Sequence, residues 1–221
     1  MKIEYLKIFS QKLEEQKAFY RDVLNLPVKQ TSESSFQVQI GFSKLEIEEQ
    51  KDATPYHVAF HIPQQREKAA LEWLESKTPI LEHEGDKIVD FPTWKAKSLY
   101  FYDADKNILE FISRSDLYPA KSEKFSFEEI LGISEVGLAT NDVENKFTFL
   151  NQNFGLKKYS GDYERFCAVG DDEGLFITIN KEMKDWIPTG DKAYASPFEI
   201  KISVEKALFG AVFANERLEL L

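Results

Sequence analysis

EYLKIFSQKLEEQKAFYRDVLNLP, residues 4–27, changes its hydrophobic period once. In EYLKIF, Tyr5, Lys7 and Phe9 share one face and Leu6 and Ile8 the other, the two-residue period of a strand. From Leu13 the apolar positions Leu13, Ala18, Phe19, Val23 and Leu26 recur at spacings near three and four, and Pro27 closes the run. That pattern predicts a helix of about three turns after the strand. FQVQIGF (36–42) and KLEIEEQ (44–50) then alternate again, as antiparallel strands with one buried face do. With VKQT (28–31) as a short strand, the unit reads β-α-β-β-β.

The order recurs. YHVAFHI (56–62) reads as a strand, QQREKAALEWLES (64–76) as a helix, and PILEHEG, KIVDFP, SLYFYD and ILEFISR as strands ending at Arg114. A third cycle runs through SEVGLAT (134–140), VENKFTFLNQNFGL (143–156), KKYSG, RFCAVG and LFITIN. FEIKISV, EKALFGAVF and ERLELL resemble a fourth unit that has lost most of its helix and one strand. Such units cannot bury their faces alone and must pack in pairs. The expectation is an α+β chain of two tandem domains made of paired βαβββ modules with curled, cup-like mixed sheets. They would span 1–115 and a truncated 128–221, joined by a polar linker at 116–127 containing Pro119.

Composition narrows the partners. With 43% hydrophobic and 30% charged residues the chain can fill its cores, and 221 residues suit one large or two small ones. A net charge of −10 without a basic stripe repels nucleic acid and anionic lipid, so neither is an expected partner. Glu4 and Lys7 interrupt any secretory core, and no run approaches the ~18 apolar residues of a spanning helix, which points to the cytoplasm. The single cysteine, Cys167, excludes an intrachain disulfide and reads as a small buried hydrophobe.

AFYRDVLNL (18–26), HVAFHI (57–62) and SLYFYDADKNILEFI (98–112), in this order, resemble the glyoxalase/bleomycin-resistance/extradiol-dioxygenase superfamily, the vicinal oxygen chelate proteins; NKFTFLNQNFGL (145–156) repeats the helix motif. The resemblance implies a metal site. Its first ligand, usually His, lies fourteen residues before the helix-motif Phe, which here is Tyr5, a phenol of pKa about 10. The second falls on His57 and the last on Glu110, while Glu46 matches a carboxylate of glyoxalase I-like members. Glu46 and Glu110 are thereby the implied catalytic carboxylates, and Tyr5, His57 and Glu110 the implied metal ligands. One imidazole with two carboxylates suits an oxygen-rich divalent ion such as Mn²⁺, Fe²⁺, Ni²⁺ or Zn²⁺. Tyr5 acts either as a phenolate ligand or as a donor behind the metal, or the cup has kept its shape without one.

His61 shares a strand face with His57, where it either replaces the missing ligand or hydrogen-bonds a neighbour. With Tyr5, Trp94 and Tyr100 it makes up the candidate ligand pocket. His83 reads as a strand-edge residue. In the second half the same count gives Glu135, Pro197 and Glu219, without an imidazole, so that half is expected to be structural, with at least one of the two carboxylates exposed. DADKN (103–107) imitates a calcium loop, but Ile108 and Arg114 stand where Gly and Glu are required; an Asx turn explains it, and the superfamily usually has Gly at Lys106.

Two functions follow. One is a divalent-metal lyase, isomerase or dioxygenase acting on a small oxygen-rich substrate. The other is a metal-free small-molecule binding protein similar to the bleomycin-resistance proteins. The two halves are expected to pair within the chain, with a homodimer as a further option.

Overall fold

A computed structural model describes residues 1–122 and 124–221 of the chain, so the expected linker falls partly, at Glu123, outside the described residues. The first unit comprises β1 (Lys2–Ser10), α1 (Leu13–Ala18), β2 (Val28–Ser32), β3 (Ser35–Ile40) and β4 (Ser43–Glu49). The expected three-turn helix is six α-helical residues continued by a π-helical turn over Phe19–Val23, which still buries Tyr20. The second unit comprises β5 (His57–Ile62), α2 (Glu67–Glu75), β6 (Ile80–Leu81), β7 (Val89–Phe91), β8 (Ala96–Tyr102) and β9 (Ile108–Arg114). The third comprises β10 (Gly132–Thr140), α3 (Val143–Phe154), β11 (Lys158–Gly161), β12 (Phe166–Asp171) and β13 (Gly174–Asn180). The fourth keeps three strands, β14 (Phe198–Val204), β15 (Ala207–Ala214) and β16 (Arg217–Leu220).

Local chemistry explains the elements. Asp142 caps α3 by accepting from the Asn145 amide at 3.0 Å, and Gly155, in the left-handed region at φ 70°, ends it. Between those stops Val143, Lys146, Leu150 and Phe154 lie on the buried face at spacings of three and four. Each complete unit then returns so that its last strand runs parallel to its first: β4 along β1, β9 along β5 and β13 along β10. Asp103 builds the expected Asx turn, accepting from the amides of Asp105 and Asn107 at 3.0 Å each, with Lys106 at φ 65° where the resemblance calls for Gly.

The units pair differently from the expected order. β5 runs antiparallel to β10 and β1 antiparallel to β14, so the second unit closes on the third and the first on the fourth. β1 and β10 touch through the single pair Ile3↔Ile133, and this joins both halves into one sheet. The physical reason is that strand partners are non-local. HVAFHI is buried at all six positions and signals two covered faces, but nothing in its pattern specifies which strand lies beside it. One residue marks the crossing: a Cβ at Gly137 would stand 2.9 Å from the Trp186 ring and 3.1 Å from the His57 Cβ, so only glycine lets β10 approach there. No helix among the described residues is long and apolar enough to cross a membrane.

Candidate metal centre and its pocket

Because β5 lies between β9 and β10, three side chains converge. His57 comes from the start of β5, Glu110 from β9 beside it, and Glu135 from β10 on its other side, with Ala59 as the register partner of both glutamates. One ligand atom from each lies within 4.8 Å of the others, and all three side chains are buried. Donors about 2.0–2.2 Å from one ion stand up to ~4.4 Å apart across it, so small rotamer changes bring this trio into range.

The protonation states are set by burial. The His57 Nδ1–H donates to the Ile108 carbonyl at 3.2 Å, which leaves the Nε2 lone pair facing Glu110 Oε2 at 3.4 Å. Desolvation lowers the imidazole to about 4, so the ring is neutral. It raises Glu110, with further help from the Glu135 charge, so Glu110 is protonated and the contact is one between two uncharged groups. Glu135 is also raised by burial, but Arg114, only 3% exposed, opposes the shift by donating to it at 2.8 Å. A neutral imidazole aimed by a backbone carbonyl, beside a protonated acid whose proton a cation can displace and a carboxylate held by Arg114, fits a divalent ion.

The trio lies in a cavity of about 370 Å³, at the lower end of the usual range of ~300–1,000 Å³ for small-molecule sites. Trp94 and Tyr100, two of the four expected pocket residues, line it, and Tyr100 faces Glu110 across the β8–β9 ladder. Ile177 occupies the place on β13 that Glu110 has on β9, since it opposes Gly137 as Glu110 opposes Ala59. The fourth corner is therefore apolar and supplies no ligand.

Three expected residues lie elsewhere. Tyr5 and Glu46 are in the other cup, where the phenol donates to Glu46 at 3.1 Å and burial pushes the Tyr5 pKa up, so Tyr5 is not a phenolate beside His57. The unit pairing is the reason: β1 closes on β14, not on β5. His61 is buried, with Nε2 at 3.1 Å from the Glu173 carbonyl and its ring edge-on to Tyr118 at 5.1 Å, outside the cavity lining. Glu219 is exposed, as expected of one of the second-half carboxylates. Cys167 is buried within the core.

The fourteen-residue count reaches Glu135 but assigns it to a structural half, away from His57. Trp186, whose ring centroid is 5.1 Å from that of His57, gives no signal because its Lys- and Pro-flanked stretch carries no period. Arg114 gives none beyond its place in ILEFISR.

The first cup has a degenerate counterpart of the same site. Lys7 is the register partner of Glu46 and Glu199, as Ala59 is of Glu110 and Glu135. Tyr5 thus stands for His57. Where Ala59 leaves space, Lys7 places its ammonium 2.9 Å from Glu48 and 3.5 Å from Glu199.

No family profile and no curated protein sequence matches the chain. Among solved structures it is similar to a Bacillus subtilis protein provisionally assigned as a dioxygenase, with 14% identity and a TM-score of 0.58 over 81% of this chain. That match covers 63% of the neighbour, so the chain spans under two thirds of its length. Lactoylglutathione lyase from Agrobacterium tumefaciens is 20% identical with a TM-score of 0.42, covering 50% of this chain and 92% of its own. The fosfomycin resistance protein FosX from Listeria monocytogenes is 18% identical with a TM-score of 0.41, covering 51% and 93%. With repeated βαβββ units, first strand parallel to last, closed in pairs into curled sheets, the chain has the fold of the glyoxalase/bleomycin-resistance/extradiol-dioxygenase superfamily.

Proposed function

We propose that the cup between the second and third units binds one divalent metal ion and acts on a small oxygen-rich substrate, as a lyase, isomerase or dioxygenase of the vicinal oxygen chelate type. The observation that carries this reading is the buried His57, Glu110 and Glu135 trio on the wall of a cavity of ligand size. His57, Glu110 and Glu135 would hold the ion, leaving positions open beside Ile177. The ion, when bound, supplies Lewis acidity toward paired substrate oxygens. Glu110, facing Tyr100 across its ladder, is the candidate proton acceptor. Trp94 and Trp186 line the cavity with apolar surface, and Arg114 holds Glu135 in place.

Elemental analysis of untagged protein after incubation with Mn²⁺, Fe²⁺, Ni²⁺ or Zn²⁺ tests the reading. About one metal per chain is expected, with loss of it in His57→Ala and in Glu135→Ala. Wild-type protein that takes up none of the four ends the metal reading.

A second reading has its own support. His57 and Glu110 lie against each other in uncharged forms without an ion, and Phe91, Trp94, Tyr100, Phe166 and Trp186 give the cavity an aromatic surface. On that reading the protein sequesters a ligand, and ligand-induced thermal stabilisation persists in chelator.

A further inference from the structure

The cavity wall opposite the second unit carries two cations. Arg165, in the turn before β12, and Lys184, in the segment after β13, both line the pocket. Neither side chain makes an ion pair or a side-chain hydrogen bond among the described residues. The nearby acids are engaged elsewhere: Asp162 accepts from the amides of Glu164, Arg165 and Phe166 at 2.8, 2.6 and 3.4 Å, and Asp185 pairs with Lys192 at 3.7 Å. Lys184 is half-buried, and its pKa is held down by desolvation and then by the Arg165 charge. Asp162, which also lines the pocket, offsets part of this charge, and Asp185 is shared with Lys192. The exposed Arg165 and the half-buried Lys184 thus leave this wall with an excess of positive charge that suits an anionic group.

Between these cations and the His57, Glu110 and Glu135 trio lies a flat aromatic surface. The Trp94 and Phe166 rings stack with centroids 6.3 Å apart and planes at 23°, and Phe91 and Trp186 extend the aromatic surface. We propose that this pocket selects organic carboxylates with a planar, conjugated body, the body lying against the aromatic walls and the carboxylate held by Arg165 and Lys184. A guanidinium and an ammonium can share one carboxylate through charge-assisted hydrogen bonds. The inference rests on the cavity being the ligand site and is independent of whether a metal is bound.

Isothermal titration of the chelator-treated full chain with cinnamate and with its neutral amide, cinnamamide, tests it. Cinnamate is expected to bind at least tenfold more tightly, and that preference to fall as sodium chloride is raised. The Arg165→Gln/Lys184→Gln protein should lose the preference while still binding cinnamamide, and Arg165→Lys/Lys184→Arg should keep it. Equal affinity for acid and amide, no measurable binding of either, or a preference that survives the double glutamine substitution each overturns the proposal. Because the titration is done without metal, a chain that prefers cinnamate yet takes up no metal overturns the metal reading alone.

Discussion

His57 and Glu110 face each other in uncharged forms, so any ion entering between them must displace the carboxyl proton. Burial raises Glu110 and Glu135 above ordinary carboxylates, whereas the imidazole, at about 4, has no proton to give up near neutrality. Metal uptake is therefore expected to strengthen as pH rises through neutrality, by up to about tenfold per pH unit for each proton displaced. Competition against a chromophoric chelator between pH 6 and 8.5 measures it; a flat profile would mean that both acids are already ionised. Behind them, Arg114 and Glu135 form a buried pair at 2.8 Å with side chains 3% and 4% exposed. Removing one partner of such a pair costs about 3–5 kcal/mol, whereas replacing both with apolar groups is often neutral. Arg114→Met should thus destabilise the protein by about 3 kcal/mol, and Arg114→Met/Glu135→Leu should recover most of it. Urea unfolding of the four proteins closes the cycle, and additive effects would show that the two side chains act separately.

At the scale of elements, register decides what each cup holds. His57 and Tyr5 hold equivalent places two residues before Ala59 and Lys7, yet Ala59 leaves the centre of one cup open while Lys7 fills the other with an ammonium between carboxylates. If that equivalence is real, Tyr5→His/Lys7→Ala should take up a second metal equivalent, on the introduced imidazole, Glu46 and Glu199, where wild type takes one. A count that stays at one sinks the equivalence. The strands and their heads are legible in the sequence because periodicity is local: EYLKIF, HVAFHI and ILEFISR show it directly, and His57 and Glu110 follow from the resemblance. Glu135 is reached by counting but falls in a half that reads as structural, because the partner of a first strand is chosen by contacts far away in sequence. Trp186 lies in an irregular segment after β13, and side chains in such segments have no period to betray their direction.

At the scale of the molecule, the pairing of first with fourth and second with third units makes the two halves of the chain interdependent. Residues 1–115 alone would present β1 without β14 and β5 without β10, two long strands with bare hydrogen-bonding edges and a cup lacking one wall each. Exposed edges of that kind associate with other chains. We therefore expect a 1–115 fragment to be insoluble or oligomeric, and a 116–221 fragment to behave likewise. Co-expression should return a one-to-one complex with a single cooperative melt. The proposed metal site spans the division, since His57 and Glu110 belong to one fragment and Glu135 to the other. Zinc should raise the melting temperature of the reconstituted pair, as an ion bound only by the assembled state must, and should leave either fragment alone unchanged. A 1–115 fragment that is monomeric and unfolds cooperatively would show instead that the first two units close on each other when the rest is absent, and that the observed pairing is one of two packings open to the same sequence.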